Sequence, residues 1–227
     1  MRATGDVASR PLDGAIAAFL KRATPIRATL VAVAFGPLAA GVVGAGGTAS
    51  LVGTLYGWWL AVVYGILPCY EVWRSAPSLS RIWAGSASNR TFWLVVAGGV
   101  FALDAYEALN VDLQFHIGLG AVPIDKHPAG VALAIAGEPL TEELFFQVGL
   151  QTWLERFGGL AAIAIVSLLF TLVHVTSVAN LGSNLITHLP GFLLLAVVWQ
   201  RFRSLGMCVL IHAGYNATLL LSGAPSP

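Results

Sequence analysis

Residues 129–177 read AGVALAIAGEPLTEELFFQVGLQTWLERFGGLAAIAIVSLLFTLVHVTS, two apolar blocks parted near Glu155 and Arg156, with Glu138, Glu142, Glu143 and His174 set inside them. A helix that crosses a bilayer needs about 20 mainly apolar residues, and a carboxylate or imidazole inside one costs several kcal/mol unless the protein uses it. The stretch therefore points to a bilayer as solvent and to these polar residues as the place for chemistry.

Working outward, further apolar blocks lie near 28–47, 50–70 and 91–110 before it, and near 186–200 and 205–222 after it. Together with 129–154 and 158–177 they predict an all-α, polytopic transmembrane bundle of about seven helices. Of the 227 residues, 57% are hydrophobic and 10% charged, a balance that excludes an ordinary soluble domain of this length. No polar stretch is long enough for a second domain, so residues 28–227 read as one transmembrane domain behind a basic arm, 1–27. In that arm Leu12, Ile16, Phe19 and Leu20 recur at helical spacing beside Lys21 and Arg22. A short helix on the membrane surface and a basic tail without structure are both open readings.

The loops test the count. If the segments alternate, eleven of the twelve Lys and Arg residues fall on one side: five in the arm, then Arg74, Arg81, Arg90, Arg156, Arg201 and Arg203, with Lys126 opposite. The positive-inside rule then sets the N-terminus in the cytoplasm of a multi-pass inner-membrane protein, expected to be bacterial. A net charge of +1 gives no reason to expect nucleic acid, and membrane lipids are the partners implied. Cys69 and Cys208 make neither a disulfide framework nor a thiolate metal site. Gly36-Pro37, Gly98-Gly99 and Pro190-Gly191 interrupt spans, as membrane helices tolerate where neighbours cover the backbone.

The intramembrane polar residues are few: Glu138, Glu142 and Glu143 in the fourth segment, His174 in the fifth, His188 in the sixth, and His212 with Asn216 in the seventh, while Asp104 and Glu107 sit late in the third. Pro139 and Thr141 mark a helix start or kink, with Thr141 as the expected cap and the helix ending near Phe157. Adjacent glutamates point about 100° apart, whereas Glu143 and Gln147 share a face, so Glu142 and Glu143 are expected to differ in role. Two carboxylates held close in a low dielectric repel, which leaves a group able to exchange a proton near neutral pH, as a general base must. The bland alternative is a capping carboxylate beside a solvated one. Phe170 with His174, and His212 with Asn216, are each spaced i, i+4 on one helix face.

These residues resemble the CAAX prenyl protease and bacteriocin-processing (abortive-infection) family of intramembrane glutamic endopeptidases. The family pattern is a Glu-Glu pair followed by three residues and Arg, then Phe with three residues and His, then His with three residues and Asn. Here the three motifs read EELFFQ from Glu142, FTLVH from Phe170 and HAGYN from His212, across a family-like core of about 129–222. The departure is Gln147, which stands where the family has Arg and offers Glu143 only a neutral hydrogen bond.

The resemblance implies a peptide hydrolase in which Glu142 and His174 activate a water, and His212 and Asn216 stabilise the oxyanion. Glu143 joins the catalytic group, Gln147 and Phe170 support it, and no cofactor or metal is expected. The substrate implied is a membrane-anchored protein or peptide, such as a C-terminal tail or anchor. Alternatives stay open: a zinc-dependent membrane protease, favoured less because no HExxH pair is present, and a noncatalytic scaffold or immunity-type protein, for which Gln147 is the best support. A transporter using Asp104 and Glu107 has no pair of interrupted repeats behind it.

Overall fold

The computed structural model describes residues 14, 16–18, 80–117, 131, 133–174 and 181–222, and among them every regular element is helical. The expected segments at 28–47 and 50–70, most of the basic arm, Arg74, Lys126 and Cys69 lie outside the described residues. Within the arm, Gly14 and residues 16–18 are helical, and Ile16 is buried in the hydrophobic core.

Helix α1 (Asn89–Ile117) begins where Ser88 accepts a hydrogen bond from the Thr91 amide, capping an otherwise orphaned donor. A continuous helical run follows, made of a π-helical turn (Leu133–Gly137), α2 (Glu138–Glu143), a longer π-helical stretch (Leu144–Gln151), a single α turn (Thr152–Leu154) and a 3₁₀ turn (Glu155–Phe157). Gly158, at φ 114°, takes a conformation that side chains strain against and lets the chain re-enter as α3 (Gly159–Val173). Then come α4 (Leu181–Thr187), α5 (Leu189–Phe202) and α6 (Leu205–Ser222). Helix α1, the run 133–157, α3, α5 and α6 overlap the last five expected segments, whereas α4 falls mostly between two of them.

Thr141 does not cap. The residue before α2 is Gly137 in helical geometry, and the Thr141 hydroxyl donates backward to the carbonyls of Gly137 (2.9 Å) and Glu138 (3.1 Å). The preceding π turn explains this correction: the chain is already helical when it reaches Pro139, so no orphaned amides need a cap.

Length sets a second difference from expectation. Among the described residues one helical segment, Asn89–Leu109, is long and apolar enough to cross a membrane, and α4 with α5, bent by 43° between them, passes as a second. Helix α3, with 15 residues, spans about 22 Å against a hydrocarbon layer of about 30 Å. Its outer surface is nonetheless apolar, with Leu160 85% exposed, and Phe101 on α1 is 74% exposed. Large aliphatic and aromatic side chains turned outward on both helices suit hydrocarbon better than water.

Helix α6 packs chiefly on α1, then on the π turn Leu133–Gly137, α2 and α5, and α3 packs on α5. The α1–α6 contact is reciprocal: a Cβ on Gly99 would sit 2.7 Å from the Ile211 side chain, and one on Gly214 would sit 2.6 Å from Val100, so each glycine admits a branched side chain from the other helix. At one end, Ser86 N–H donates to the Phe202 carbonyl (2.9 Å), Ser204 Oγ donates to the Trp83 carbonyl (2.7 Å), and Arg203 pairs with Glu155. The loops that hold Arg81, Arg156, Arg201 and Arg203 are thus drawn together at one end of the bundle.

Gly85 holds that end closed. Its φ is +69°, and a Cβ there would fall 2.5 Å from the Phe202 carbonyl oxygen. Gly85→Ala is expected to lower the unfolding free energy by about 1–3 kcal/mol. Gly98→Ala, where a Cβ meets nothing within 4 Å, should leave it unchanged or raise it. Thermal unfolding of both variants in one detergent measures the contrast.

Candidate active site

The site forms where α2 meets α6. Glu143 is fully buried, and its Oε1 lies 2.9 Å from His212 Nδ1. The other face of the same imidazole, Nε2, lies 3.8 Å from Glu142 Oε2. The Glu142 side chain keeps 19% of its surface exposed where that of Glu143 keeps none. The 100° offset between neighbours on a helix has this result: one carboxylate is locked behind the histidine, and the other remains reachable in front of it.

His174 is positioned by the end of α3. The helix stops at Val173, and the His174 ring turns back so that Nδ1 lies 2.9 Å from the Phe170 carbonyl. A carbonyl only accepts, so Nδ1 carries a proton, and in the neutral form of the ring the lone pair is at Nε2. The same contact satisfies a carbonyl that the helix end leaves without an amide.

Phe170 is a structural post. Its ring stacks on Phe146 at 3.9 Å and on Phe192 at 3.6 Å, both within 11° of parallel, which joins the π-helical stretch, α3 and α5 in one aromatic column. His212 stands edge-on to Phe170, with centroids 6.1 Å apart, and His174 lies 5.7 Å from Phe170. Asn216 follows one turn beyond His212 on α6, half-buried. The structure therefore brings Glu142, Glu143 and His212 together and sets His174 beside the same two rings, Phe170 and Phe192, that His212 faces.

Gln147 does not meet the expectation of a hydrogen bond to Glu143. It is fully buried, and neither Oε1 nor Nε2 has a hydrogen-bond partner among the described residues. The widened backbone of the π stretch, which directs its amides one residue further back, accompanies this offset.

Sequence reasoning assigned no role to His188. It occupies the 43° break between α4 and α5, with its ring 4.8 Å from that of His174. Thr187 Oγ1 donates to the Ser183 carbonyl (3.0 Å) and so accepts at 2.7 Å from His188 Nδ1–H. His188, His212, Tyr106, Thr187 and Tyr215 line a cavity of about 30 Å³, room for one or two waters, with Phe192 and Leu195 as part of its apolar wall. The signal available in the sequence was an intramembrane histidine two residues before Pro190. Asp104 and Glu107, the basis of the transporter reading, instead tie α1 to α6: Tyr215 donates to Glu107 (3.0 Å) and Thr218 to Asp104 (3.4 Å). Among the described residues no group of three or more His, Cys, Asp or Glu side chains is arranged to hold a metal ion.

Residues 126–218 match the family model of the Rce1-like type II CAAX prenyl endopeptidases, a stretch that contains all three motifs and every residue of the candidate site. The match supports the likeness of this part of the chain to the CAAX protease family, which is membrane-associated. No curated protein and no solved structure matches the chain.

Glu143 and Glu142 are expected to part company in stability. Glu143→Ala removes one member of a buried pair and should cost about 3–5 kcal/mol. Glu142→Gln changes a partly exposed group at the longer distance and should cost under about 1 kcal/mol. Differential scanning fluorimetry of both variants in the same detergent checks the difference.

Proposed function

We propose that this protein is an intramembrane glutamic endopeptidase that hydrolyses a peptide bond in a membrane-anchored protein or peptide, at a site built from Glu142, His174, His212 and Asn216. The match of residues 126–218 to a CAAX-type endopeptidase family supports the reaction class. The observation that carries the finer reading is the division of labour at His212, with a reachable carboxylate at 3.8 Å on one side and a buried one at 2.9 Å on the other.

In this mechanism Glu142 takes a proton from a water held by its carboxylate and by the lone pair at His174 Nε2. The hydroxide formed attacks the peptide carbonyl, and Glu142 returns the proton to the leaving amine. His212 and Asn216 donate to the oxyanion. Donation from His212 requires a proton on Nε2. Glu143 makes that possible in either of two ways, by bonding an imidazolium at Nδ1 or by donating its own proton to a neutral ring. The low dielectric of the bundle strengthens each of these contacts relative to water.

The positive-inside rule orients the molecule: the end that gathers Arg156, Arg201 and Arg203 faces the cytoplasm of a multi-pass inner-membrane protein. Counting about 1.5 Å per residue from Leu205 to His212 and from Gly159 to Phe170 puts the site about 10–16 Å from that end, near the middle of the bilayer. A C-terminal tail or anchor seated in the membrane is the substrate that such a depth favours.

Glu142→Gln, which keeps the shape and removes the base, is expected to abolish cleavage of a membrane-anchored peptide library while the protein stays folded; an active variant would end this mechanism. Strong chelation is expected to leave activity intact, and loss with rescue by zinc would replace the glutamate mechanism with a metal one. Orientation is read from single cysteines in a background lacking Cys69 and Cys208. Gly182 and Arg201 are both exposed and lie at opposite ends of the α4–α5 pair. An impermeant thiol reagent on intact cells should label Gly182→Cys and spare Arg201→Cys. The reverse pattern inverts the molecule.

A further inference from the structure

Glu143, Gln147 and Gln151 follow one another at intervals of four along the run that leads from the site to the basic end, and all three are fully buried. Glu143 Oε2, both polar atoms of Gln147 and Gln151 Oε1 have no hydrogen-bond partner among the described residues. Most of the buried unpartnered side-chain atoms among the described residues are thus gathered on one row that starts at His212. The row continues. Gln151 Nε2 donates to the Ala196 carbonyl (2.9 Å) and to Gln200 Oε1 (3.3 Å). Gln200 is half-buried next to exposed Arg201, and a Cβ on Gly159 would touch its amide at 3.1 Å.

Buried polar atoms are nearly always paired, with protein or with ordered water. A row of amides with both donors and acceptors, in a helix whose i→i+5 winding widens it, fits water better than any ion. We propose that Gln147 and Gln151 line a narrow hydrated file that carries water and protons between the basic end of the bundle and the site. Its purpose rests on the hydrolase reading: a hydrolase inside hydrocarbon consumes one water per turnover and needs a route for it. The file itself is independent of turnover. It also gives a physical use to the glutamine at this position. An arginine would place a fixed positive charge in the row, whereas glutamine is neutral and both accepts and donates.

The test uses the purified full-length chain in lipid nanodiscs and radiolytic hydroxyl labelling, in which water inside a protein marks the side chains beside it. Met207 and Cys208 are reactive, fully buried, and placed about one turn toward the basic end from His212, as Gln147 is from Glu143. Both should label in the wild type despite their burial, and Gln147→Leu should reduce their labelling about tenfold without lowering the unfolding temperature. In the same variant kcat should fall about tenfold, the rate cost of about one lost hydrogen bond to a positioned water, with KM unchanged. If Gln147→Leu does not fold, Gln147→Met, closer in shape and equally without donors, takes its place.

Equal labelling of Met207 and Cys208 in wild type and variant overturns the file, even if the wild type cleaves peptide. Reduced labelling with unchanged kcat overturns its role in supply. Reduced labelling in a protein that cleaves nothing supports the file and counts against the hydrolase reading, so the two failures are distinguishable.

Discussion

A carboxylate buried in a helical bundle must be neutralised or hydrogen-bonded, and much in this molecule follows from how Glu143 meets that demand. Its partner is His212, 69 positions away in sequence, at 2.9 Å. The contact sets the rotation of α2 against α6. Because neighbouring residues on a helix diverge, burying Glu143 leaves Glu142 facing the other nitrogen of the same ring from a more open position. One buried pair thereby orders three of the site's groups, and removing either member would leave an uncompensated polar group inside.

The aromatic column does for the remaining side chains what the Glu143–His212 contact does for the glutamates. Phe146, Phe170 and Phe192 stack nearly parallel and bring three helical elements to one line. His174 follows Phe170 by one turn at the end of α3 and spends its Nδ1 on the Phe170 carbonyl, so its Nε2 is held by backbone rather than by a flexible side chain. His188 stands at the break before Pro190. Both histidines stand where a helix ends, which is where backbone groups and dipoles are available to orient an imidazole. The irregularities of the fold, the π turns around α2 and the bend at His188, lie at the site, while the regular helices α1, α3 and α6 frame it.

Much of this was legible in the chain. The apolar blocks from 91 onward match helices, the basic residues of the described loops gather at one end, and EELFFQ, FTLVH and HAGYN fall within the region that matches the Rce1-like family. Helical periodicity was enough to place Phe170 with His174 and His212 with Asn216, and to separate Glu142 from Glu143. It failed where local backbone departed from α geometry. Thr141 was expected to cap a helix that in fact continues back through a π turn, and Gln147, which could offer Glu143 a neutral hydrogen bond, makes none among the described residues.

Composition and spacing, being properties of one dimension, determined the all-helical class, the positions of most helices and the chemical identity of the polar residues, because the period of a helix and the cost of charge in hydrocarbon act residue by residue. Only the tertiary structure decided which glutamate is locked and which is reachable, that His188 and Tyr215 share a cavity with His212, that Asp104 and Glu107 brace α1 against α6, and that Gln147 and Gln151 lie unpartnered on one row. Those outcomes depend on the rotation and offset of helices that meet across as many as 114 positions of sequence, and no local pattern encodes the angle at which two distant helices come to rest.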